Sequence, residues 1–278
     1  MLMERYRASD GQVLHVKVVG QGSAIVFLHA WAANHRDWLS VANALAGEYR
    51  CYCWDARGHG GHSVTVKGSC DVGRMAEDLK DLLQQFGLVK PMLLGHSMGA
   101  LTLWEYIRRY GCDHIGKLCF VDQSPKLVTD PDWHYGIYSD FDENRSRELI
   151  TRMEQDFVEA VVRLVAEGNN SRAREGYTNN SPGFQRIRAY IGTLDPAPLI
   201  SIWKSLCTAD YRDVLPTINV PTLLIHGDES HFYSLELARY VRDHIPNAEL
   251  RVYQGSDHSP QLWQRERFLA DLRRLAMC

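Results

Sequence analysis

No run in this chain approaches the roughly 18 apolar residues of a membrane span. The opening Met1-Leu2-Met3-Glu4-Arg5-Tyr6-Arg7 carries charge at positions 4, 5 and 7 with no apolar stretch behind it, so it does not read as a secretory signal. Lys and Arg gather into no stripe that could displace counterions from phosphates, which argues against a nucleic-acid partner. The chain has no His-Glu-x-x-His, no paired Cys-x-x-Cys, no glycine-rich dinucleotide fingerprint and no phosphate loop, so neither a metal nor a cofactor is expected. There is no internal repeat and no low-complexity segment. The seven cysteines are odd in number and scattered, at 51, 53, 70, 112, 119, 207 and 278. Several lie inside apolar runs such as Leu118-Cys119-Phe120-Val121, which suits buried reduced thiols in a cytoplasmic protein. Asn-x-Ser/Thr matches at Asn144, Asn169 and Asn179 carry no weight without secretion.

What remains is an ordinary globular composition: 278 residues, 45% hydrophobic, 23% charged, with a formal net charge of −3. That length holds one α/β domain with an insertion and buries a sizeable core. Short apolar runs alternate with segments of helical period, the pattern of a mostly parallel sheet covered on both faces. Eight strands are expected, at 3–7, 13–19, 24–29, 50–54, 91–95, 117–122, 221–227 and 248–253. Val72, Met75, Leu79, Leu82, Leu83 and Phe86 recur at helical spacing before Gly87 and predict a helix over 71–87; segments 98–110 and 234–244 read alike. The alternation breaks between 125 and 212, where a helical run at 143–168, an Asn/Ser/Gly/Pro-rich stretch at 169–183 and more helix at 184–208 contain no convincing strand. The predicted organisation is a core of 1–124 and 213–278 with residues 125–212 inserted as a helical cap, over the sheet edge where open α/β sheets place their sites.

The sharpest signal is Pro91-Met92-Leu93-Leu94-Gly95-His96-Ser97-Met98-Gly99-Ala100: a strand, a Gly-x-Ser-x-Gly turn, then a helix. Such a turn is strained and lifts the serine hydroxyl out of the sheet. Gly95 and Gly99 leave room for the bend. The Met98 N–H then lies at a helix N-terminus, aimed where an oxyanion would form. A serine hydroxyl is a weak nucleophile until an imidazole takes its proton. Of twelve histidines, only His258 follows the last strand, in a Gly-x-x-His-x-Pro loop. His96, inside the elbow, is expected to point away from the serine.

Taken together these segments resemble the α/β-hydrolase superfamily over nearly the whole chain except the cap. The resemblance includes Leu28-His29-Ala30-Trp31 after the third strand, Asp55-Ala56-Arg57-Gly58-His59-Gly60 after the fourth, and Gly255-Ser256-Asp257-His258-Ser259-Pro260 near the end. It implies an eight-stranded α/β-hydrolase fold, no cofactor, and a second oxyanion donor at the Trp31 backbone N–H. Ala30 stands where the family usually has glycine, and His29 is expected to support that turn. Gly61-His62-Ser63 also departs from the usual loop ending, and no chemistry is attached to His59 or His62.

The acid is less plain. Most relatives carry Asp three residues after the glycine that closes the seventh strand, but this chain has Ser230 there, with Asp228 and Glu229 beside it. Asp122 is favoured instead. It ends a buried apolar strand, where a lone carboxylate is expensive without a partner, and some branches of the superfamily take their acid from this strand. Asp228 and Glu229 stay open as alternatives, and an anchor for the cap loop is the bland reading of Asp122.

His35, Trp38, Trp133 and Tyr138 are the candidate pocket residues, with Trp31, Tyr135, Phe141, Tyr177 or Trp203 beside them. The arginines between 145 and 188 read as a solvated helical face, or as a contact for an anionic substrate. The expected activity is a serine hydrolase acting on a carboxylic ester, lactone or thioester of a small hydrophobic molecule. Two rivals remain: a cofactor-free ring-cleaving dioxygenase of the 3-hydroxy-4-quinolone type, using His258 and Asp122 as its base, and a non-catalytic ligand-binding module. Oligomeric state is not legible.

Overall fold

A computed structural model describes residues 2–60, 66 and 68–277. Gly61-His62-Ser63 falls outside the described residues.

The strands are β1 (Leu2–Arg7), β2 (Val13–Gly20), β3 (Ser23–Leu28), β4 (Tyr49–Asp55), β5 (Met92–His96), β6 (Lys117–Val121), β7 (Thr222–Gly227) and β8 (Ala248–Tyr253). They form one sheet in the order β1-β2-β4-β3-β5-β6-β7-β8. β2 runs antiparallel to β1 and β4, and every pair from β4 to β8 is parallel. The helices flanking it are α1 (Arg36–Leu45), α2 (Val72–Gln85) and α3 (Met98–Tyr110). Then come α4 (Glu143–Gln155), α5 (Phe157–Ala166), α6 (Ser171–Thr178), α7 (Pro182–Ile191) and α8 (Pro196–Thr208). α9 (Leu235–His244), α10 (Pro260–Trp263) and α11 (Arg265–Met277) complete the chain.

Period-two alternation divides the core between the two faces of the sheet. Val26, Tyr52, Trp54 and Leu93 face one apolar cluster with α2 and α3, while Phe27, Cys51, Cys53 and Leu94 face the other with α1 and α11. Because both faces are covered, the central strands read in sequence as unbroken apolar runs. The loop after β4 is tied down from beneath: Arg57, buried, gives Nε to Asp78 Oδ2 at 2.6 Å and Nη2 to Oδ1 at 2.7 Å. This fork joins the loop to α2.

Two expectations for the inserted segment need correction. The helical run 143–168 is two helices, because Asp156 takes extended backbone (φ −147°, ψ 90°) and its side chain accepts the Glu159 N–H as an N-cap. The polar stretch 169–183 contains α6, started by Asn170 accepting the Ala173 N–H at 3.0 Å.

Trp38 is also corrected here. It lies in α1 with Val41, Ala42 and Leu45 on one helical stripe, fully buried against Phe27 and Phe268. Spacing of three, four and seven from Trp38 turns its indole into the sheet rather than toward the site. Trp38→Ala should therefore cost about 3–5 kcal/mol of stability. A urea-unfolding midpoint unchanged from wild type would contradict that placement.

Candidate functional site

β5 ends at His96, and Ser97 takes φ 53°, ψ −117° before α3 begins at Met98. A non-glycine residue held at positive φ costs on the order of 1–3 kcal/mol, so the neighbours must impose it. They do. A Cβ on Gly95 would meet the Ala100 nitrogen at 2.5 Å, and one on Gly99 would meet the Leu28 carbonyl oxygen at 2.4 Å. The Ser97 N–H continues the ladder to the Val121 carbonyl at 3.2 Å. Met98 opens α3, so its N–H has no acceptor within the helix.

Asp122 mirrors Ser97 one strand further on. It follows the last residue of β6, also at positive φ (47°), with its N–H on the Ile225 carbonyl at 2.8 Å. The residue is 2% exposed and its side chain is fully buried. Oδ2 accepts His258 Nδ1–H at 2.5 Å and the Ser230 hydroxyl at 2.6 Å. Oδ1 faces His226 Nδ1 at 2.7 Å and the Gly227 N–H at 3.3 Å. Burial alone would favour the neutral acid, but the two histidines outweigh it through charge and hydrogen bonds and hold the carboxyl far below its ordinary range. Burial likewise disfavours charge on His226, and the Asp122 carboxylate reverses this and raises its pKa.

An ionised carboxylate only accepts, so the His258 proton sits on Nδ1 and Nε2 is left basic. His258 is steadied by the Phe232 ring edge-on at 4.6 Å and by His96, whose Nε2–H donates to the His258 carbonyl at 2.8 Å. Gln261 donates to His96 Nδ1 at 3.2 Å. Burial, then the neighbouring His258, push His96 down to about 3.

Two more buried histidines shape the turn after β3. His29 Nδ1–H donates to the Ala30 carbonyl at 2.7 Å and Nε2 accepts the Ala56 N–H at 3.1 Å. In a trans peptide the carbonyl and N–H point opposite ways, so anchoring Ala30 O to His29 turns the Trp31 N–H away from it. His59 Nε2 accepts the N–H of Ala32, itself at φ 58°, at 3.1 Å. Its Nδ1–H donates to Arg57 O at 3.0 Å. Burial, then His29, push His59 down to about 3.

Ser97, Met98, Trp31 and His258 line one cavity of about 250 Å³. Its apolar wall includes Val161 and Leu164 of α5, Ile187 and Ile191 of α7, and Trp203 and Leu206 of α8. The Trp31 indole N–H donates to the Leu199 carbonyl at 2.9 Å, and its ring lies 4.9 Å from that of Trp203.

The four pocket candidates lie outside this wall. His35 is buried with Nδ1 on Asp55 at 2.8 Å, and Trp38 is in the core beneath. Trp133 packs on Tyr135 and Tyr240 and gives its N–H to the Lys126 carbonyl at 2.9 Å, so its indole ties down its own loop instead of lining the cavity. Tyr138 stands one layer back, its hydroxyl on the Leu164 carbonyl and its ring stacked on Phe232. Of the wider aromatic set Trp31 and Trp203 line the cavity, while Tyr177 bonds Glu159. Of the other acids, Asp228 accepts the Gly255 N–H at 2.7 Å and Glu229 pairs with Arg172. Arg145, Arg147, Arg152, Arg163, Arg172 and Arg188 meet surface carboxylates, and no described arginine lines the cavity. Sequence reasoning missed His226 and Ser230 as partners of Asp122. The one available hint was Ser230 standing where a carboxylate is usual.

Residues 23–264 match the model of the alpha/beta hydrolase fold family, and the chain belongs to that family. It is 29% identical to a non-heme chloroperoxidase of Kitasatospora aureofaciens over 95% of each chain. It is 25% identical to the pimeloyl-(acyl-carrier protein) methyl ester esterase of Vibrio vulnificus, over 93% of this chain and 96% of the relative. The solved esterase of Exiguobacterium antarcticum is 26% identical, covers 100% of both chains and superposes with a TM-score of 0.85.

His59 and His96 should stay neutral from pH 8 to pH 5, each showing a single protonated ring nitrogen by ¹⁵N NMR. Their folded pKa values lie below the unfolded value of about 6.5. The unfolded chain therefore binds more protons, and their contribution to stability is present above pH ~6.5 and lost progressively as pH falls toward 3. Titration of either ring near 6.5 in the folded protein would refute this.

Proposed function

We propose that the chain is a serine hydrolase that cleaves a carboxylic ester, or a lactone or thioester, of a small apolar molecule through an acyl-enzyme on Ser97. The observation that carries this reading is the His258 imidazole, fixed by Asp122 through Nδ1–H, in the cavity that Ser97 also lines. Its Nε2 takes the Ser97 proton as the hydroxyl attacks the carbonyl. Asp122 fixes the tautomer and stabilises the imidazolium. The N–H groups of Met98 and Trp31 receive the oxyanion. His258 returns its proton to the leaving group, then activates water to release the acid. No step calls on a cofactor.

Support also comes from the esterases among the similar proteins. Residues 125–212 act as a helical cap on a core of 1–124 and 213–278, and their apolar side chains exclude water from the acyl site. No helix among the described residues is long and apolar enough to cross a membrane. The buried free thiols at Cys51, Cys53 and Cys119 suit a reducing compartment, and we assign the enzyme to the cytoplasm.

Hydrolysis of short and medium p-nitrophenyl esters tests the reading. Ser97→Ala is expected to lower kcat by about 10⁶ and Asp122→Asn by about 10⁴. Asp228→Asn should leave it nearly unchanged. Ester turnover surviving in Ser97→Ala would overturn the assignment. Oxygen uptake with a 3-hydroxy-4-quinolone, in place of ester turnover, would move it to a His258–Asp122 dioxygenase.

A further inference from the structure

The cavity wall is apolar except at a few places, and one of these is Asp37, in the first turn of α1. Its carboxylate is half-buried, and among the described residues none donates a hydrogen bond to it or forms an ion pair with it. Two nearby donors are engaged elsewhere and a third lies out in solvent. The Asn34 amide N–H donates to the Tyr190 hydroxyl at 2.8 Å, the His35 ring is held on Asp55, and Arg36 is exposed. Burial raises the Asp37 carboxyl to about 6, with the neighbouring His35 acting in the opposite direction. Tyr190 of α7, which also lines the cavity, feels the same charge: burial raises its phenol pKa, Asn34 lowers it, and Asp37 raises it further.

A carboxylate facing an apolar cavity without a donor is costly, and a bound cation relieves that cost through a charge-assisted hydrogen bond. An anionic substrate would instead set two like charges together in a space of about 250 Å³. The surface arginines paired with carboxylates do not reach the cavity to offset this. We propose that Asp37 is the specificity-determining residue of this cavity, and that the ester hydrolysed here carries a positively charged amine that Asp37 receives while its carbonyl lies against Ser97. This rests on the serine-hydrolase reading. The bonds made and broken are those of ester hydrolysis, with the amine unchanged.

Two isosteric series read the charge on either side of the ester. The acyl series is ethyl 6-aminohexanoate, ethyl heptanoate and monoethyl adipate. The alcohol series is 2-(dimethylammonio)ethyl acetate, which keeps one N–H donor, and its neutral isostere 3-methylbutyl acetate. Acid release is followed with wild type, Asp37→Asn and Asp37→Glu. In at least one series the wild type should favour the cationic ester over its neutral isostere by about tenfold or more in kcat/KM, as a charged hydrogen bond implies. Asp37→Asn should bring that ratio close to one, Asp37→Glu should restore most of it, and monoethyl adipate should be the poorest acyl substrate. Equal rates for cation and neutral isostere in both series, or a preference that survives Asp37→Asn, overturns the proposal. If no ester is turned over, the hydrolase reading fails, and calorimetric titration of Ser97→Ala with hexylammonium and with hexanol tests Asp37 separately. Tighter binding of the cation by about tenfold, lost when Asp37→Asn is added, keeps the site; equal binding removes it.

Discussion

A fully buried carboxylate at the end of an apolar strand can stay ionised only if donors meet it from every side, and at Asp122 four do. His226 and Gly227 come from β7, Ser230 from the loop that follows, and His258 from the loop after β8. The charge therefore holds the C-terminal ends of the last three strands in a common arrangement. Removing one partner of such a buried set leaves an uncompensated charge, a loss of about 3–5 kcal/mol. The same demand that stabilises this edge fixes the His258 tautomer, so the packing of the edge and the state of the imidazole rest on one group.

Three non-glycine residues around the Ser97 turn and the His258 pair, Ala32, Ser97 and Asp122, are held at positive φ. Strain of this kind persists where the surroundings over-determine the backbone. Here the surroundings are close backbone approaches at Gly95 and Gly99 and two buried imidazoles, His29 and His59. Each imidazole uses one nitrogen as donor and the other as acceptor, which a neutral ring alone can do. Burial, which keeps them neutral, is part of how the turn keeps its shape.

The strands were legible because burial on both faces writes itself as unbroken runs such as Met92-Leu93-Leu94. The elbow was legible because few residues tolerate that turn. Asp122 stood out as a charge closing an apolar strand, but its partners His226 and Ser230 lie more than a hundred residues away, and no local pattern pairs them with it. The pocket was misread for a similar reason. Nearness in sequence to the oxyanion turn drew attention to His35 and Trp38, whereas the periodicity of Trp38, Val41, Ala42 and Leu45 already carried the helix that buries the indole. The residues that do line the cavity come from α5, α7 and α8, whose relation to Ser97 is set by tertiary packing. Asp37 was invisible on the same account: a carboxylate in a first turn looks like ordinary helix electrostatics until the helices of the inserted segment enclose it in the cavity.

The segment 229–233 joins the inserted helices to the base. Tyr138 N–H donates to the Phe232 carbonyl at 2.8 Å, Asn169 N–H to the His231 carbonyl at 2.8 Å, and Asn170 to the Glu229 carbonyl at 2.8 Å. Phe232 in turn stands edge-on to His258. A helical lid lifting at this edge would pull on the backbone that props the imidazole. Admission of solvent and loss of alignment would then be one motion, a safety catch that ties the posture of His258 to a closed cavity.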